Sequence, residues 1–259
     1  MQDLKIGLLQ VDQAWQNPLE NRNRIEAALK KQSAADLILI PEMAFTGFSM
    51  NAEEFAEEWD NSSSVLWLKE QSLRYNTAFY TSLLIKFEGQ FYNRGVFVSE
   101  GRVIAHYDKQ HLFAFAGEDS VFKPGNSQTM VAFKGWKINL QICFDLRFPE
   151  GSRNRVTEGG AAYDLLLYVA NWPSARIAHW DSLLIARAIE NQSVVAAVNR
   201  VGMDGNQIAY NGHSCLIAAD GNYIQPPIHT EEVLMIQDIS YEQLMEFRKS
   251  LPFLKERKG

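Results

Sequence analysis

"KINLQICFDLRFPE", residues 137–150, reads as a buried strand that breaks abruptly into charge: Cys143 is followed within seven positions by Asp145, Arg147 and Glu150. The stretch has a counterpart near the N-terminus. "KIGLLQV" (5–11), a helical pattern and "DLILIPE" (36–42) are echoed by "KINLQIC" (137–143), a helical stretch from Pro149 and "DLLLYVAN" (164–171). Both units open on Lys-Ile, and both second runs open on Asp-Leu. Such an echo implies two similar half-sheets packed face to face with helices outside, an α/β fold of the four-layer αββα sandwich type. Continuous apolar runs such as Leu37 to Ile40 and Leu165 to Val169 suit strands covered on both faces.

Outward from these units, Asn17 as N-cap and Pro18 at the first helical position predict a helix running to Leu29. From Thr77 to Tyr107, β-branched and aromatic residues punctuated by Glu88-Gly89 and Glu100-Gly101 predict hairpin-linked strands. A strand pair around Lys134-Gly135 precedes the second unit. A helix over about 177–192, strands in "SVVAAVNRV", "HSCLIAAD" and "VLMIQDI", and a closing helix from Tyr241 complete the reading. No composition break marks a boundary, so residues 1–259 are expected to form a single domain.

Composition narrows the function. Hydrophobic residues make up 46% and charged residues 22%, ordinary for a folded enzyme-sized chain. The formal net charge is -6 and the basic residues are scattered, which argues against nucleic acid as a partner. The opening "MQDLKIGLLQ" is neither a signal peptide nor a membrane span, so a cytoplasmic location and no membrane partner are expected. On the same ground the sequons at Asn61 and Asn191 carry no meaning. Two distant cysteines, Cys143 and Cys215, make no disulfide framework. The five histidines lack H-x-x-x-H spacing, so no catalytic metal site is expected.

Ligands of α/β sheets collect at the carboxyl ends of strands, where Cys143 and Glu42 both fall. Each residue also has a plain structural explanation. Cys143 can be a small buried hydrophobe, Glu42 the first solvated residue after a strand, and Lys109 and Glu118 ordinary loop charges. The polar neighbours of Cys143 weigh against the first of these, because a thiol that must ionise benefits from them.

Taken in order, "LIPEMAFTGF", "YDKQHLF", "GEDSVFKPG", "QICFDLRFPE" and "RAIENQ" resemble the nitrilase superfamily of carbon–nitrogen hydrolases, and most closely its omega-amidase branch. The likeness runs from about Leu4 to Phe253. It implies the αββα sandwich, with Glu42 as general base, Lys109 as catalytic lysine, Cys143 as nucleophile and Glu118 as a second, supporting glutamate. It also implies a homodimer. Asp145 and Arg147 are then expected to hold the turn after the cysteine.

The implied chemistry is attack of Cys143 on a small-molecule amide, a thioester intermediate and hydrolysis, with no cofactor. Lys109 and the backbone N–H of Phe144 are the candidate oxyanion donors. A short 2-oxo acid with a terminal amide, 2-oxoglutaramate or 2-oxosuccinamate, is the expected substrate. Arg176 is a candidate partner for its carboxylate, and Asn171 and Trp172 are candidate pocket residues. Arg187 and Glu190 are spaced for an i, i+3 pair. Rival readings are another hydrolase of the superfamily (a deaminated glutathione amidase, a carbamoylase or a nitrilase), a papain-like thiol hydrolase using one of the histidines, and an inactive binding protein of the same fold.

Overall fold

The computed structural model describes residues 2–31, 35–158 and 160–257. Its backbone turns the echo of the two units into matching hydrogen bonds. In the first unit Asp36 Oδ2 accepts from Lys5 N at 2.8 Å, and Asp36 N donates to Lys5 O at 2.9 Å. In the second, Asp164 Oδ2 accepts from Lys137 N at 3.0 Å, and Asp164 N donates to Lys137 O at 2.7 Å. Each aspartate carbonyl then takes the first N–H of the next strand, Ala78 N at 2.9 Å and Val194 N at 3.0 Å. An aspartate at the strand entrance thus clips three parallel strands in register by satisfying backbone groups that a crossover would leave unpaired.

Two mixed sheets follow. The first has the order Val233–Ile239, Leu4–Gln10, Leu37–Leu39, Ala78–Phe87, Gln90–Ser99, Arg102–Asp108; the short strand Glu57–Glu58 also pairs with Ala78–Phe87. The second has the order Val201–Met203, Ala209–Ile217, Val194–Asn199, Leu165–Ala170, Trp136–Ile142, Met130–Phe133. Alternation along the strands explains the layering. Leu4, Ile6, Leu37 and Leu39 share one core with Ile138 and Leu140 of the other sheet. Ile38 and Ile40 face the opposite way, against Ile25 and Leu29 of the helix Pro18–Leu29 and Leu68 of the helix Ser63–Tyr75. The helix Ile177–Asn191 packs on the strands Ala209–Ile217 and Val194–Asn199 of the second sheet, with Trp180 and Leu184 buried, and the helix Tyr241–Ser250 joins the core through Leu244. The αββα expectation is met.

The helix Pro18–Leu29 begins as expected, with Asn17 Oδ1 accepting from Glu20 N at 3.1 Å. Both hairpin turns place two consecutive residues at positive φ, Glu88 (50°) with Gly89 (72°) and Glu100 (51°) with Gly101 (71°). That is the type I′ backbone, whose twist matches the strands it joins.

Two expectations need correction. The helical stretch after Pro149 is only Pro149–Ser152, preceded by a 3₁₀ turn at Cys143–Arg147, so the second unit has no long crossover helix between its first two strands. The strand Tyr223–His229 was not foreseen, because Pro226-Pro227 argues against a strand. It pairs with Ala209–Ile217 off the main strand order, the kind of edge position where a missing N–H can be tolerated. Among the described residues no helix is long and apolar enough to cross a membrane.

Candidate active site

The carboxyl ends of the two units face each other, and the four ionisable candidates meet there. Glu42 follows the strand Leu37–Leu39 through Ile40 and Pro41, and is fully buried. Its Oε1 accepts from Lys109 Nζ and Asn93 Nδ2, both at 2.8 Å, and its Oε2 from Asn171 N at 3.0 Å. Its carbonyl is also gripped, by Gln13 Nε2 at 3.0 Å and Asn171 Nδ2 at 2.6 Å. Backbone and carboxylate are therefore both fixed before any substrate arrives.

Lys109 leaves the end of the strand Arg102–Asp108 and is anchored by Lys109 N donating to Asn93 O at 3.0 Å. Gly125 N donates to Lys109 O at 2.9 Å, and a Cβ at Gly125 would lie 2.1 Å from Asp108 O. The glycine of "FKPG" is thus required by the close return of the loop. Lys109 Nζ reaches Glu118 Oε1 at 2.9 Å and Oε2 at 2.8 Å. Glu118 opens a short helical turn after Gly117, and its Oε2 also accepts from Phe113 N at 2.7 Å.

Cys143 is the first residue past the strand Trp136–Ile142 and sits at φ 43°, a left-handed conformation costly for a residue with a Cβ. Asp145 holds that turn. Its Oδ2 accepts from Ile142 N at 3.0 Å and from Tyr107 OH at 2.9 Å, and its Oδ1 from His111 N at 2.9 Å. Arg187 Nη2 adds a bond to Leu146 O at 2.6 Å while Nη1 makes the expected contact with Glu190 at 2.9 Å. The thiol points into a cavity and lies 3.9 Å from Asn171 O.

Electrostatics follow from one cation between two carboxylates in a dry place. Burial and Glu42 raise the Cys143 pKa, with Lys109 opposing them. Burial also raises Glu118, although Lys109 pulls the other way. Burial alone would lower Lys109, but Glu118 and Glu42 outweigh it and hold the ammonium above its ordinary value. The thiol therefore rests protonated. Passing its proton to Glu42 leaves the total charge of the buried cluster unchanged, so the transfer avoids the cost of adding charge to a low-dielectric site.

The cavity above the thiol measures about 90 Å³ and is lined by Phe48, Phe113, Phe144 and Trp172, with Arg147 and Arg176. Every proposed substrate contact lines it. Asn171 has a double role, since its amide nitrogen holds Glu42 O while its buried Oδ1 has no hydrogen-bond partner among the described residues. Arg147 departs from expectation. Asp145 secures the turn, and Arg147 lies over Trp172 at 4.9 Å and reaches His179 Nδ1 at 3.2 Å. Arg176 lies 5.3 Å from the Phe113 ring. Among the described residues neither guanidinium has a carboxylate within salt-bridge distance.

Glu42 and Lys109, rather than a histidine, are the charged groups acting on the thiol, which removes the basis for a papain-like pairing. Sequence reasoning missed Asn93, the donor shared by both glutamates (2.8 and 3.0 Å), and Gln13. A signal for Asn93 existed: asparagine is disfavoured inside a strand, yet here it interrupts "FYNRGVFV".

A family model described as carbon-nitrogen hydrolase matches residues 5–249. An omega-amidase of Yersinia enterocolitica is 38% identical over 252 residues, covering 97% of this chain and 96% of that protein. A 2-oxoglutaramate amidase of Bacillus subtilis is 34% identical over 251 residues, 95% of each. Among solved structures, a CN-hydrolase superfamily protein of Xanthomonas campestris with an arsenic adduct in its active site superposes with a TM-score of 0.96 at 40% identity, covering 100% of this chain and 98% of that one.

Proposed function

Because the chain belongs to the carbon-nitrogen hydrolase family, we propose that it is an omega-amidase, hydrolysing the terminal amide of a short 2-oxo acid such as 2-oxoglutaramate or 2-oxosuccinamate to the dicarboxylate and ammonia. The observation that carries the reading is the pairing of a buried Glu42–Lys109–Glu118 cluster beside the Cys143 thiol with two guanidiniums in the same small cavity, Arg147 and Arg176, that have no carboxylate partner among the described residues. The first supplies acyl-transfer chemistry. The second supplies a seat for a substrate carboxylate, which an arginine fork can grip through two charge-assisted bonds.

In the reaction Glu42 accepts the Cys143 proton as sulfur bonds to the amide carbon. The oxyanion is met by the N–H of Phe144 and by Lys109, whose ammonium has three protons and needs one for Glu42 and one shared across the two Glu118 oxygens. Glu42 returns the proton to the departing nitrogen, the C–N bond breaks, and ammonia leaves a thioester. Glu42 then takes a proton from water as its oxygen bonds to the acyl carbon, the C–S bond breaks with its electron pair on sulfur, and Glu42 returns the proton to the Cys143 thiolate as the acid departs. The unpartnered Asn171 Oδ1 supports a role for it in accepting from the substrate amide. Glu118 keeps Lys109 charged and in place.

The extent of the family match, 5–249, supports one hydrolase domain for the chain. Exposed Met245, Leu251 and Phe253 in the closing segment support pairing with a second copy. The test of the function is ammonia release from purified protein across 2-oxoglutaramate, 2-oxosuccinamate, glutamine, deaminated glutathione, N-carbamoyl amino acids and nitriles. The two 2-oxo acid amides are expected to lead in kcat/KM. A lead by any of the last three classes overturns the substrate assignment in favour of the corresponding hydrolase of the superfamily.

A further inference from the structure

Far along the chain from the catalytic motifs, the hairpin formed by Ala209–Ile217 and Tyr223–His229 brings together two histidines separated by sixteen positions. Gly212 (φ 77°) and His213 (φ 67°) form a bulge in which a non-glycine residue is held in the left-handed region. The bulge directs the His213 ring at His229, with His213 Nε2 2.9 Å from His229 Nδ1. Asn211 Nδ2 lies 3.2 Å from the same His213 Nε2. On its other side, His213 Nδ1 meets both oxygens of Asp181 at 3.0 Å.

For a neutral His213 this arrangement is poor as a set of hydrogen bonds. With Nδ1–H turned to the carboxylate, the ring has a single lone pair on Nε2, yet an amide NH₂ and a second imidazole both press against it. Among the described residues the Asn211 oxygen is buried without a partner, and turning that amide over brings the oxygen to face His213 Nε2. The rings also do not meet head-on. Two imidazoles joined along their N–H axis at that separation would hold their centroids about 5 Å apart, whereas here the centroids are 4.3 Å apart with the planes at 87°. Two nitrogens aimed at a shared point beside the line between them would produce this geometry. For metal–nitrogen bonds of about 2.0–2.1 Å, a 2.9 Å separation corresponds to neighbouring ligands at a right angle, as in square-planar or octahedral Cu(II) and Ni(II) rather than tetrahedral zinc.

We propose that His213 Nε2, His229 Nδ1 and the Asn211 side-chain oxygen form a binding site for a divalent transition-metal ion of the copper or nickel class, with Asp181 orienting His213 from behind. A carboxylate on the distal nitrogen of a ligating histidine fixes its tautomer and raises its basicity. Among the described residues no third histidine, cysteine, aspartate or glutamate joins the set, so solvent completes the coordination on the exposed side, where His229 lies at the surface. The site takes no part in the thiol chemistry.

The test uses untagged, chelator-treated Cys143→Ala protein, which removes the accessible thiol as a competing ligand. Calorimetric titration with Ni²⁺ is expected to show one saturable site, and Cu²⁺ spin resonance is expected to show coupling to two imidazole nitrogens. Adding His229→Gln, a surface change compatible with folding as checked by circular dichroism, should abolish both signals. Adding Asp181→Asn should weaken Ni²⁺ binding by about 10–100-fold. No saturable binding in the Cys143→Ala protein, or unchanged binding after His229→Gln, overturns the proposal and leaves the pair as hydrogen-bonded histidines only.

Discussion

Lys5 to Glu42 and Lys137 to Asn171 are the same construction used twice, and they differ where the chemistry is. Both have Lys-Ile at the entrance of a first parallel strand and an Asp-Leu clip at the entrance of a second, with registers Ile6↔Leu37 and Ile138↔Leu165. At the exits the likeness ends. The first strand of one unit runs out at Val11, buried in the core under the outer helices, while its counterpart runs out at Cys143. The second strands lead to Glu42 in one unit and to Asn171 in the other. At the entrances the same aspartate clip pairs the backbone in both units, whereas at the open end the pairing is done by different side chains, Gln13 and Asn171 on Glu42 O and Asp145 on Ile142 N, which leaves the exit residues free to differ. Because the sheets pack face to face, a base from one unit can stand beside a thiol from the other.

The largest expected effect tests that asymmetry directly. Cys143→Ala should abolish hydrolysis, while Cys215→Ala and the counterpart change Val11→Ala should leave turnover intact. Val11→Ala should cost only about 1–3 kcal/mol of stability. Equal loss of activity in folded Cys143→Ala and Cys215→Ala would remove Cys143 from the mechanism.

Next comes Glu42→Gln, which keeps the shape but can take no proton from the thiol or from water. Turnover should fall by about 10²–10⁴ with substrate binding much less affected. An activated ester with a good leaving group should still acylate Cys143 slowly, and intact-protein mass spectrometry should then show the acyl group accumulating. Near wild-type turnover in this variant would move the base to Glu118.

Both guanidiniums of the cavity come from the second unit and its continuation. Arg147→Met and Arg176→Met should each raise KM for 2-oxoglutaramate by about tenfold to a hundredfold, the worth of a hydrogen bond to a charged group. Steady-state kinetics with an uncharged short amide provides the control, since its KM should not change. A matching rise for the uncharged amide would show that the arginines shape the cavity rather than hold a carboxylate.

The smallest effects concern the clips. Asp164 is almost fully buried and also bonds Arg248 at 2.6 Å, so Asp164→Asn should cost about 1–3 kcal/mol in urea unfolding. Asp36 is more exposed and should cost under about 1 kcal/mol on the same change. Equal costs would mean that burial does not set the value of the clip.

The local patterns read along the chain were sufficient wherever one residue type answers one backbone demand. Asn17-Pro18 starts a helix, Glu-Gly pairs close hairpins, and Lys-Ile with Asp-Leu marks a clipped parallel pair. Glu42 and Cys143 were legible as candidates from their places at strand ends, whereas Lys109 and Glu118, ordinary loop charges by position, were legible only through the resemblance to the nitrilase superfamily. Tertiary structure alone decided how they meet. It set Asn93 between two glutamates 76 positions apart, turned Arg147 from the expected brace into a wall of the cavity, and admitted Tyr223–His229 as a strand despite its prolines. These outcomes depend on which faces two sheets turn to each other, and no pattern of neighbouring residues specifies that. A side chain's partner across the sheets is chosen by packing, and so is the approach of His213 to His229.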